Sequence, residues 1–524
     1  MIHMVCFKNL LLSFAFLSFL LNSETRAAVP ISNIPQGSIQ NDDNHLLENL
    51  IKSAEQGDAE VQFSLGQLYD TGQGVLQDYK KAVEWYTKAA KQGYTMAQYA
   101  LGKMYESGQG ISKNDNKAIE WFTKAANQGS ALAQHYLALK YFLGKGIIKN
   151  KQKAFEWMQK AAKQEFAPAQ LVLGIMFCEG EGVPQDFKKG FDLYTKAAEQ
   201  GNAQAQNDLG TMYKNGKGVS QDYKKAFEWY TKAAEQGSSM AQFNLGVMYQ
   251  GGKGVVQDYK KALEWYTKSA NQGNAGAQFN LGVMYKNGEG VPQDYKKAFE
   301  WYTKAAEQGL AVAQSNLGVM YKNGEGVAQD YKKVFEWYTK AAEQGLAVAQ
   351  CNLGFMYKKG QGTAQDYKKA FEWYTKAAEK GYVEAQHNLG VMYGLGEGIP
   401  KDYKKAFEWV TKAAEQGNAG SQYNLGAMYE LGQGTTQDYK KALEWYTKAS
   451  DQGHRDAQFR VYLDTQYRVG SIYFKENSVT QNYQNAFEYY TKMANQGDEK
   501  AQFLLGVMYE EGKGTQKNKK KAFE

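Results

Sequence analysis

The sequence predicts an all-α fold, an α/α solenoid that forms a right-handed superhelix from about 13 helix-turn-helix repeats of 36 residues. The first observation is a small residue, almost always Gly, that follows a hydrophobic residue every 36 positions. It occurs at 66, 102, 138, 174, 210, 246, 282, 318, 354, 390 and 426, and then at 470 and 506 after one step of 44 residues. The second observation is the helical spacing of apolar residues within each unit. Fixed periods of 20–50 residues are typical of arrays in which each unit buries its apolar face against its neighbours.

The N-terminus is predicted to be a secretory signal over residues 1–27. Lys8 precedes the largely apolar run 10–21, and a polar stretch then leads to Ala27. This three-part order is typical of export signals. An uncleaved membrane anchor is the alternative, and it would be the only source of membrane contact. Residues 28–45 are predicted to be a linker.

Residues 46–57 are predicted to form a capping helix, because Leu46, Leu47, Leu50 and Ile51 supply one apolar stripe. Solenoids need such a cap to cover the first repeat. The repeat array then runs over 58–524. It is irregular at 450–485, where eight additional residues enter one first helix, and its last repeat is predicted to be truncated.

The unit around Gly282 illustrates the first helix of each repeat. Ala277, Leu281, Met284 and Tyr285 fall at i, i+4, i+7 and i+8, which is one face of a helix. Gly282 lies within that helix, where Gly costs about 1 kcal/mol relative to Ala. We therefore expect a close approach of the partner helix at this position.

The second helix is predicted to begin after Asp294, whose carboxylate suits an N-cap, and to end at Gln308-Gly309. A short connection on each side predicts antiparallel neighbours. Its apolar stripe comprises Tyr295, Ala298, Phe299, Tyr302, Ala305 and Ala306.

The segment 277–309 resembles the Sel-one-like repeats, which are relatives of the tetratricopeptide repeats. It follows that family's pattern of Ala, Leu-Gly, Tyr, paired Gly, Asp-Tyr, Lys-Ala and Trp-Tyr almost letter for letter, and the resemblance covers about 46–524. It implies an α/α superhelix with a concave binding surface. It also implies roles as adaptors or scaffolds in signalling, envelope assembly or contact between bacteria and host cells.

Catalytic and cofactor motifs do not emerge from the sequence. The five histidines lie in unrelated contexts, and neither a His-Glu-x-x-His zinc motif nor a P-loop occurs. Some cysteine-rich relatives have been called β-lactamases, but Ser-x-x-Lys is absent, so a hydrolase of that kind is the least favoured interpretation. The 62 basic and 55 acidic residues alternate along the chain, which favours a solvated surface over a nucleic-acid site. We therefore expect a non-enzyme with no cofactor, no metal and no nucleic-acid partner.

Six consecutive repeats carry an asparagine two positions before the helix glycine. This asparagine row comprises Asn244, Asn280, Asn316, Asn352, Asn388 and Asn424. An amide both donates and accepts hydrogen bonds, so the row is a candidate site for the backbone of an extended peptide. The alternative is that each asparagine bonds to a neighbouring helix or loop.

All ten tryptophans share one position of the repeat. This tryptophan row comprises Trp85, Trp121, Trp157, Trp229, Trp265, Trp301, Trp337, Trp373, Trp409 and Trp445. One interpretation is a surface with cation–π character that contacts a glycan or a protein, since Lys297 and Lys304 flank Trp301 at i−4 and i+3. The other is packing between successive repeats, with lysine stems covering the rings.

These observations together predict an exported, non-enzymatic adaptor, periplasmic or secreted, that binds protein or peptide along the concave face. Its setting would be the bacterial envelope or the host interface. The alternative is a periplasmic regulator that binds peptidoglycan or a cell-wall enzyme. The least repetitive stretches, 131–192 and 450–485, are where we expect specificity to reside.

Overall fold

The computed structural model describes residues 42–458, 460–461 and 499–523, together with residues 484, 487, 488, 490–492, 494, 495 and 497. The predicted export signal, nearly all of the predicted linker and most of the irregular stretch 450–485 lie outside the described residues. None of the helices in the described ranges has both the length and the apolar character needed to cross a membrane.

The described residues form helices joined by short loops, and no strand occurs among them. The helices are α1 (Asp42–Glu55), α2 (Ala59–Thr71), α3 (Tyr79–Lys91), α4 (Thr95–Ser107), α5 (Asp115–Asn127), α6 (Ala131–Leu143), α7 (Lys151–Lys163), α8 (Ala167–Glu179), α9 (Phe187–Glu199), α10 (Ala203–Asn215), α11 (Tyr223–Glu235), α12 (Ser239–Gly251), α13 (Tyr259–Asn271), α14 (Ala275–Asn287), α15 (Tyr295–Glu307), α16 (Ala311–Asn323), α17 (Tyr331–Glu343), α18 (Ala347–Lys359), α19 (Tyr367–Glu379), α20 (Val383–Leu395), α21 (Tyr403–Glu415), α22 (Ala419–Leu431), α23 (Tyr439–Asp451), α24 (Glu499–Glu511) and α25 (Lys519–Phe523). From α2 onwards, even-numbered helices are the first helices of repeats and odd-numbered helices are the second.

The chain divides into two compact units. Unit 1 comprises residues 1–205 and 217–219, and unit 2 comprises 206–216 and 220–524. Within each unit, helices pack against the helices that precede and follow them in the chain. The prediction of an all-α solenoid of 36-residue helix pairs is therefore confirmed. The helix that precedes the first repeat, α1, starts and ends slightly earlier than the 46–57 expected from the sequence, and it packs against α2.

The ends of α14 and α15 follow from local side-chain chemistry. Gly288 ends α14 with a φ of 76°, a conformation that costs Gly little. Asp294 caps α15, and its Oδ1 accepts a hydrogen bond from the backbone N–H of Lys297 at 3.0 Å. The predicted N-cap is therefore confirmed.

The predicted apolar stripe of α15 is correct except at its first residue. Ala298, Tyr302, Ala305 and Ala306 are buried, but Tyr295 is 37% exposed. Tyr295 lies in the first turn beside the preceding loop, where its hydroxyl accepts a hydrogen bond from the Gln293 side chain at 3.1 Å. This polar contact holds the ring at the solvent-facing end of the helix.

The helix glycine makes room for an aromatic ring of the partner helix. A Cβ atom at Gly282 would lie 2.6 Å from ring carbons of Tyr302, closer than such contacts occur in proteins. The close approach predicted from the sequence is therefore present, but the ring and not the partner backbone makes it. In the repeat that carries Ala138, the corresponding residue of the second helix is Met158, and both are buried in one cluster. An unbranched, flexible thioether accommodates the extra methyl group.

A row of buried glutamines on the first helices bonds to neighbouring helices, in most repeats on both sides. Each glutamine is only 2–5% exposed, and the glutamine row comprises Gln62, Gln98, Gln134, Gln170, Gln206, Gln242, Gln278, Gln314, Gln350, Gln386 and Gln422. In the repeat of α14, the Gln278 amide donates to the Ala270 carbonyl at 3.2 Å and accepts from the Gln308 amide at 2.7 Å. Buried amides that are satisfied in this way stabilise the array without unpaired polar atoms.

Candidate functional site

The asparagine row lies on the first helices of unit 2, from α12 to α22. All six side chains are half-buried. An apolar residue follows each asparagine by three positions, which places the two on one helix face. These residues are Val247, Val283, Val319, Phe355, Val391 and Ala427, and the two rows together are termed the asparagine face. Val247 is 37% exposed and Phe355 is 40% exposed, so the face offers apolar contacts next to amides.

Four of the six asparagines bond to groups that come before them in the array. Asn244 donates to the Asn207 side chain at 3.0 Å. Asn280 and Asn316 bond to the phenols of Tyr266 and Tyr302, respectively. Burial raises the pKa of Tyr302 to about 12, against the opposing effect of the Asn316 bond. The tyrosines therefore stay neutral, and their oxygens accept from the asparagine amides. The Tyr266 hydroxyl itself donates to the Gln250 side chain at 2.8 Å.

A fourth asparagine, Asn388, bonds to the Cys351 thiol, and burial raises the pKa of that thiol to about 12. A thiol with such a pKa is unreactive at neutral pH. Each asparagine amide still has more donor and acceptor sites than one such bond uses. Peptide binding by the asparagine row therefore stays a prediction.

The tryptophan row combines both geometries that the sequence suggested. Every tryptophan is half-buried, and the ammonium of the lysine three positions later lies 3.8–4.2 Å from its ring centroid. Trp301 packs against the cluster that α13 and α14 form around Tyr266 and Leu281. Lys297, the second predicted neighbour of this ring, instead lies over the Tyr285 ring at 5.3 Å. One face of each ring is thus covered from within the array, and ligand binding by this row stays a prediction.

Ion pairs join successive repeats beside the asparagine face. Lys286 on α14 lies 3.2 Å from Glu325 in the loop after α16. Two repeats further on, Lys358 lies 2.7 Å from Glu397 in the loop after α20. Both pairs join residues 39 apart, so the same lysine–carboxylate contact forms in two repeats of unit 2.

Unit 1 carries a more compact charged cluster within the stretch 131–192 and the repeat before it. Lys103 donates to Glu106 at 3.0 Å and to the Tyr136 hydroxyl at 2.9 Å. Lys140 and Tyr136 also contact the Glu106 carboxylate. The Glu106 carboxylate therefore contacts three side chains, one on α4 and two on α6.

Groups suited to metal binding do not gather in the part of the chain that the structure describes. No set of three or more His, Cys, Asp and Glu residues there could hold a metal ion. The two described cysteines, Cys178 and Cys351, are buried and form no disulfide. The geometry on both units is that of a repeated surface.

The repeats match the model of a known repeat family. The Sel1 repeat model matches residues 59–94, 95–130, 131–166, 167–202, 203–238, 239–274, 275–310, 311–346, 347–382, 383–418, 419–454, 463–498 and 499–524. The chain belongs to the Sel1 repeat family. Sel1 repeat solenoids are generally protein-interaction scaffolds and not enzymes.

Two solved structures are similar to this Sel1 repeat protein. One is c5321, a protective antigen present in uropathogenic Escherichia coli strains that displays the same fold. It is 37% identical, the match covers 88% of this chain and 96% of that chain, and the TM-score is 0.68. The other is a Sel1 repeat protein from Oxalobacter formigenes, 37% identical over 59% of this chain and 89% of that chain, with a TM-score of 0.46. No curated protein matches the chain.

Two features of this Sel1 repeat protein are absent from the predictions that its sequence supports. The glutamine row had a signal, because an Ala-Gln dipeptide such as 277–278 recurs in almost every repeat beside the apolar stripe. The lysine–carboxylate pairs give no sequence signal within a single unit, because the lysine and its glutamate are 39 residues apart and belong to different repeats. Only the stacking of repeats brings them together.

Proposed function

We propose that this Sel1 repeat protein is an exported, non-enzymatic adaptor that binds a protein or an extended peptide along the asparagine face. The observation that carries the proposal is the in-register row of amides and exposed apolar side chains on the first helices of a Sel1 repeat array. Amides can bond to a peptide backbone whatever its sequence, and side chains such as Phe355 add apolar contact. Each repeat contributes little, so useful affinity requires several repeats together.

Export rests on residues 1–27, whose charge and apolar run have the pattern of a secretory signal. The similar E. coli protein is a protective antigen, which supports a location that the host can reach. Cell fractionation with mass determination of the mature N-terminus tests this step. A protein retained in the cytoplasm with Met1 intact would contradict export, whereas co-sedimentation with purified sacculi would favour the alternative of a periplasmic regulator.

Peptide binding is tested by selecting from a displayed peptide library on immobilised protein lacking residues 1–27. The site variant carries Val247→Ser and Phe355→Ser, which remove exposed apolar contacts from the asparagine face. The control variant carries Ile148→Ser and Val256→Ser, at loop positions that are 88% and 85% exposed. We expect selected peptides to bind the site variant at least about tenfold more weakly, as the loss of two apolar contacts implies.

The control variant is expected to keep the affinity of the unmodified protein. Circular dichroism and the melting temperature establish that both variants are folded. Equal affinity for the two variants would move binding away from the asparagine face. Failure to select any peptide would contradict the proposal as a whole.

A further inference from the structure

The repeated lysine–carboxylate pair loses its carboxylate at two places in unit 2. Lys322 is the equivalent of Lys286 and Lys358, but the residue 39 positions after it is Gln361. At the other place, Lys214 is followed at the same spacing by Lys253. Both lysines therefore occupy a position at which other repeats provide a negative partner.

The surroundings of Lys322 differ from those of its paired equivalents. The side chains of Lys286 and Lys358 are 29% and 18% exposed in their ion pairs, whereas Lys322 is an exposed residue. It borders a shallow cavity, open to solvent, between the repeats of α16 and α18. The cavity is also lined by Tyr338, Asn352, Phe355, Met356 and Gln361.

This cavity combines the groups that a carboxylate side chain requires. The Lys322 ammonium supplies the charge, and charge-assisted hydrogen bonds of this kind are roughly twice as strong as neutral ones. Asn352 and Gln361 supply amide donors, and Phe355, which is 40% exposed, supplies apolar surface for the methylene groups of the ligand. Asn352 and Phe355 are also members of the asparagine face, so a ligand in the cavity would be continuous with a peptide on that face.

The second place, at Lys214 and Lys253, also has an excess of positive charge. Lys214 is half-buried and Lys253 is exposed, and burial followed by the charge of Lys253 lowers the pKa of Lys214. Two like charges at one contact repel each other, and a carboxylate placed between them relieves that repulsion. The two places are three repeats apart in the sequence, so one extended chain can engage both.

We infer that Lys322 and the Lys214–Lys253 pair bind carboxylates of an acidic peptide segment that lies along the asparagine face. The ligand carboxylate at Lys322 takes the place that Glu325 and Glu397 occupy in the paired repeats. The inference rests on the proposed peptide-binding function and adds the chemical class of the partner. An acidic peptide fits better than a nucleic acid, because Lys286 and Lys358, the equivalents of Lys322 in the adjacent repeats, are paired with Glu325 and Glu397 and do not extend its positive charge along the described part of the asparagine face.

The test supplies the missing carboxylate from the protein itself. Gln361→Glu recreates at Lys322 the pair that Lys286 forms with Glu325, and Lys253→Glu does the same at Lys214. Both changes occupy the proposed sites with a glutamate of the protein. They reproduce the lysine–glutamate pair that other repeats already contain, so the fold should be retained. Ala364→Glu is the matched control, because it adds the same charge as Gln361→Glu at an exposed residue in the same loop.

The measurement is fluorescence anisotropy at low salt with a labelled twelve-residue peptide of alternating Glu, Gly and Leu, and with its Gln counterpart. We expect the Glu peptide to bind the unmodified protein and Ala364→Glu equally, and Gln361→Glu about tenfold more weakly, as the loss of one charged hydrogen-bonding contact implies. We expect Lys253→Glu to weaken binding as well. The melting temperatures of both site variants should be unchanged or higher.

Four results would overturn the inference. Equal binding of the Glu peptide by Gln361→Glu and the unmodified protein would remove Lys322 from the site. Equal affinity for the Glu and Gln peptides would exclude carboxylate recognition but leave the adaptor function standing, since peptides would still bind. Tighter binding of single-stranded oligouridylate than of the Glu peptide, lost in Gln361→Glu, would identify a phosphate ligand instead. No binding of either peptide, together with an empty library selection, would contradict both proposals.

Discussion

The side-chain oxygen of Gln350 is buried without a hydrogen-bond partner, because Lys380 stands where most repeats have the glutamine that donates to it. In the equivalent contacts, the amide of Gln308 donates to Gln278 and that of Gln344 donates to Gln314, at 2.7 and 2.8 Å. Lys380 instead directs its ammonium to the Gly345 carbonyl. The glutamine row is therefore interrupted at one place within unit 2.

Replacing Lys380 with Gln should stabilise the protein. The new amide would donate to the buried Gln350 oxygen, and satisfying a buried polar atom is worth about 1 kcal/mol. We expect a higher melting temperature and slower hydrogen exchange of the backbone amides in α18 and α19. An unchanged melting temperature together with unchanged exchange would show that Gln350 is already satisfied by other means.

The reverse substitution in a neighbouring repeat provides the matched control. Gln308→Lys removes the donor to Gln278 and should destabilise the protein by about 1–2 kcal/mol, the usual cost of leaving a buried acceptor unpaired. Hydrogen exchange should accelerate in α14 and α15 and not in α18. If both substitutions shift the melting temperature in the same direction, the row does not act through these bonds.

A second prediction concerns the contact between Gly282 and Tyr302. Gly282→Ala places a methyl group against the tyrosine ring and should cost about 1–3 kcal/mol through overpacking. The repeat with Ala138 and Met158 shows how the array accommodates that methyl group, so Gly282→Ala combined with Tyr302→Met should cost less than the sum of the two single changes. A double-mutant cycle on urea unfolding measures this coupling, and strict additivity would show that ring and methyl group do not compete for the same space.

Features that depend on interactions within one repeat can be predicted from the sequence, whereas features that depend on contacts between distant residues cannot. Repeat length, helix ends and the buried stripe depend on neighbours within one unit, so residues such as Asp294 and Ala298 were assigned correctly. The Tyr302 ring against Gly282 depends on the rotamer of a partner 20 positions away, which periodicity does not specify. The hydrogen bonds of the asparagine row depend on residues of the preceding repeat, so the sequence of a single repeat does not predict them.

A third prediction concerns acid sensitivity in unit 1. His135 is 3% exposed and its Nδ1 lies 3.3 Å from the Met158 sulfur. Burial lowers the pKa of His135 to about 4 from its ordinary value of 6.5. The unfolded chain therefore binds a proton more readily than the folded chain between these values, so the stability present above pH 6.5 is lost as the pH falls towards 4.

Leucine is the natural replacement, because Leu171 occupies the same position in the next repeat and is also buried. We expect the melting temperatures of the unmodified protein and His135→Leu to diverge as the pH falls from 7 to 4.5. The difference should reach roughly 2–3 kcal/mol in the free energy of unfolding, since each pKa unit corresponds to about 1.4 kcal/mol. Parallel pH profiles for the two proteins would mean that His135 does not titrate differently on unfolding.

The last prediction separates the structural and binding roles of the asparagine row with two of its own members. Asn316 bonds to the Tyr302 phenol of the preceding repeat. Asn424 lies at the same position, but Val410 stands where Tyr302 would be, so the phenol that Asn316 bonds to has no equivalent in that repeat. The two residues therefore share their place on the asparagine face, but only Asn316 has a tyrosine at the equivalent position of the preceding repeat.

Asn316→Ala should lower the free energy of unfolding by about 1 kcal/mol, because it leaves the buried Tyr302 hydroxyl without that partner, while Asn424→Ala should change it by only a few tenths. Peptide affinity should fall by a similar factor in both variants if the amides bind a ligand backbone. Calorimetric melting and anisotropy on the same preparations give the two quantities. A loss of stability in Asn316→Ala, together with unchanged peptide affinity in both variants, would assign the row to the architecture of the array. Neither Asn316 nor Asn424 would then contribute to peptide binding.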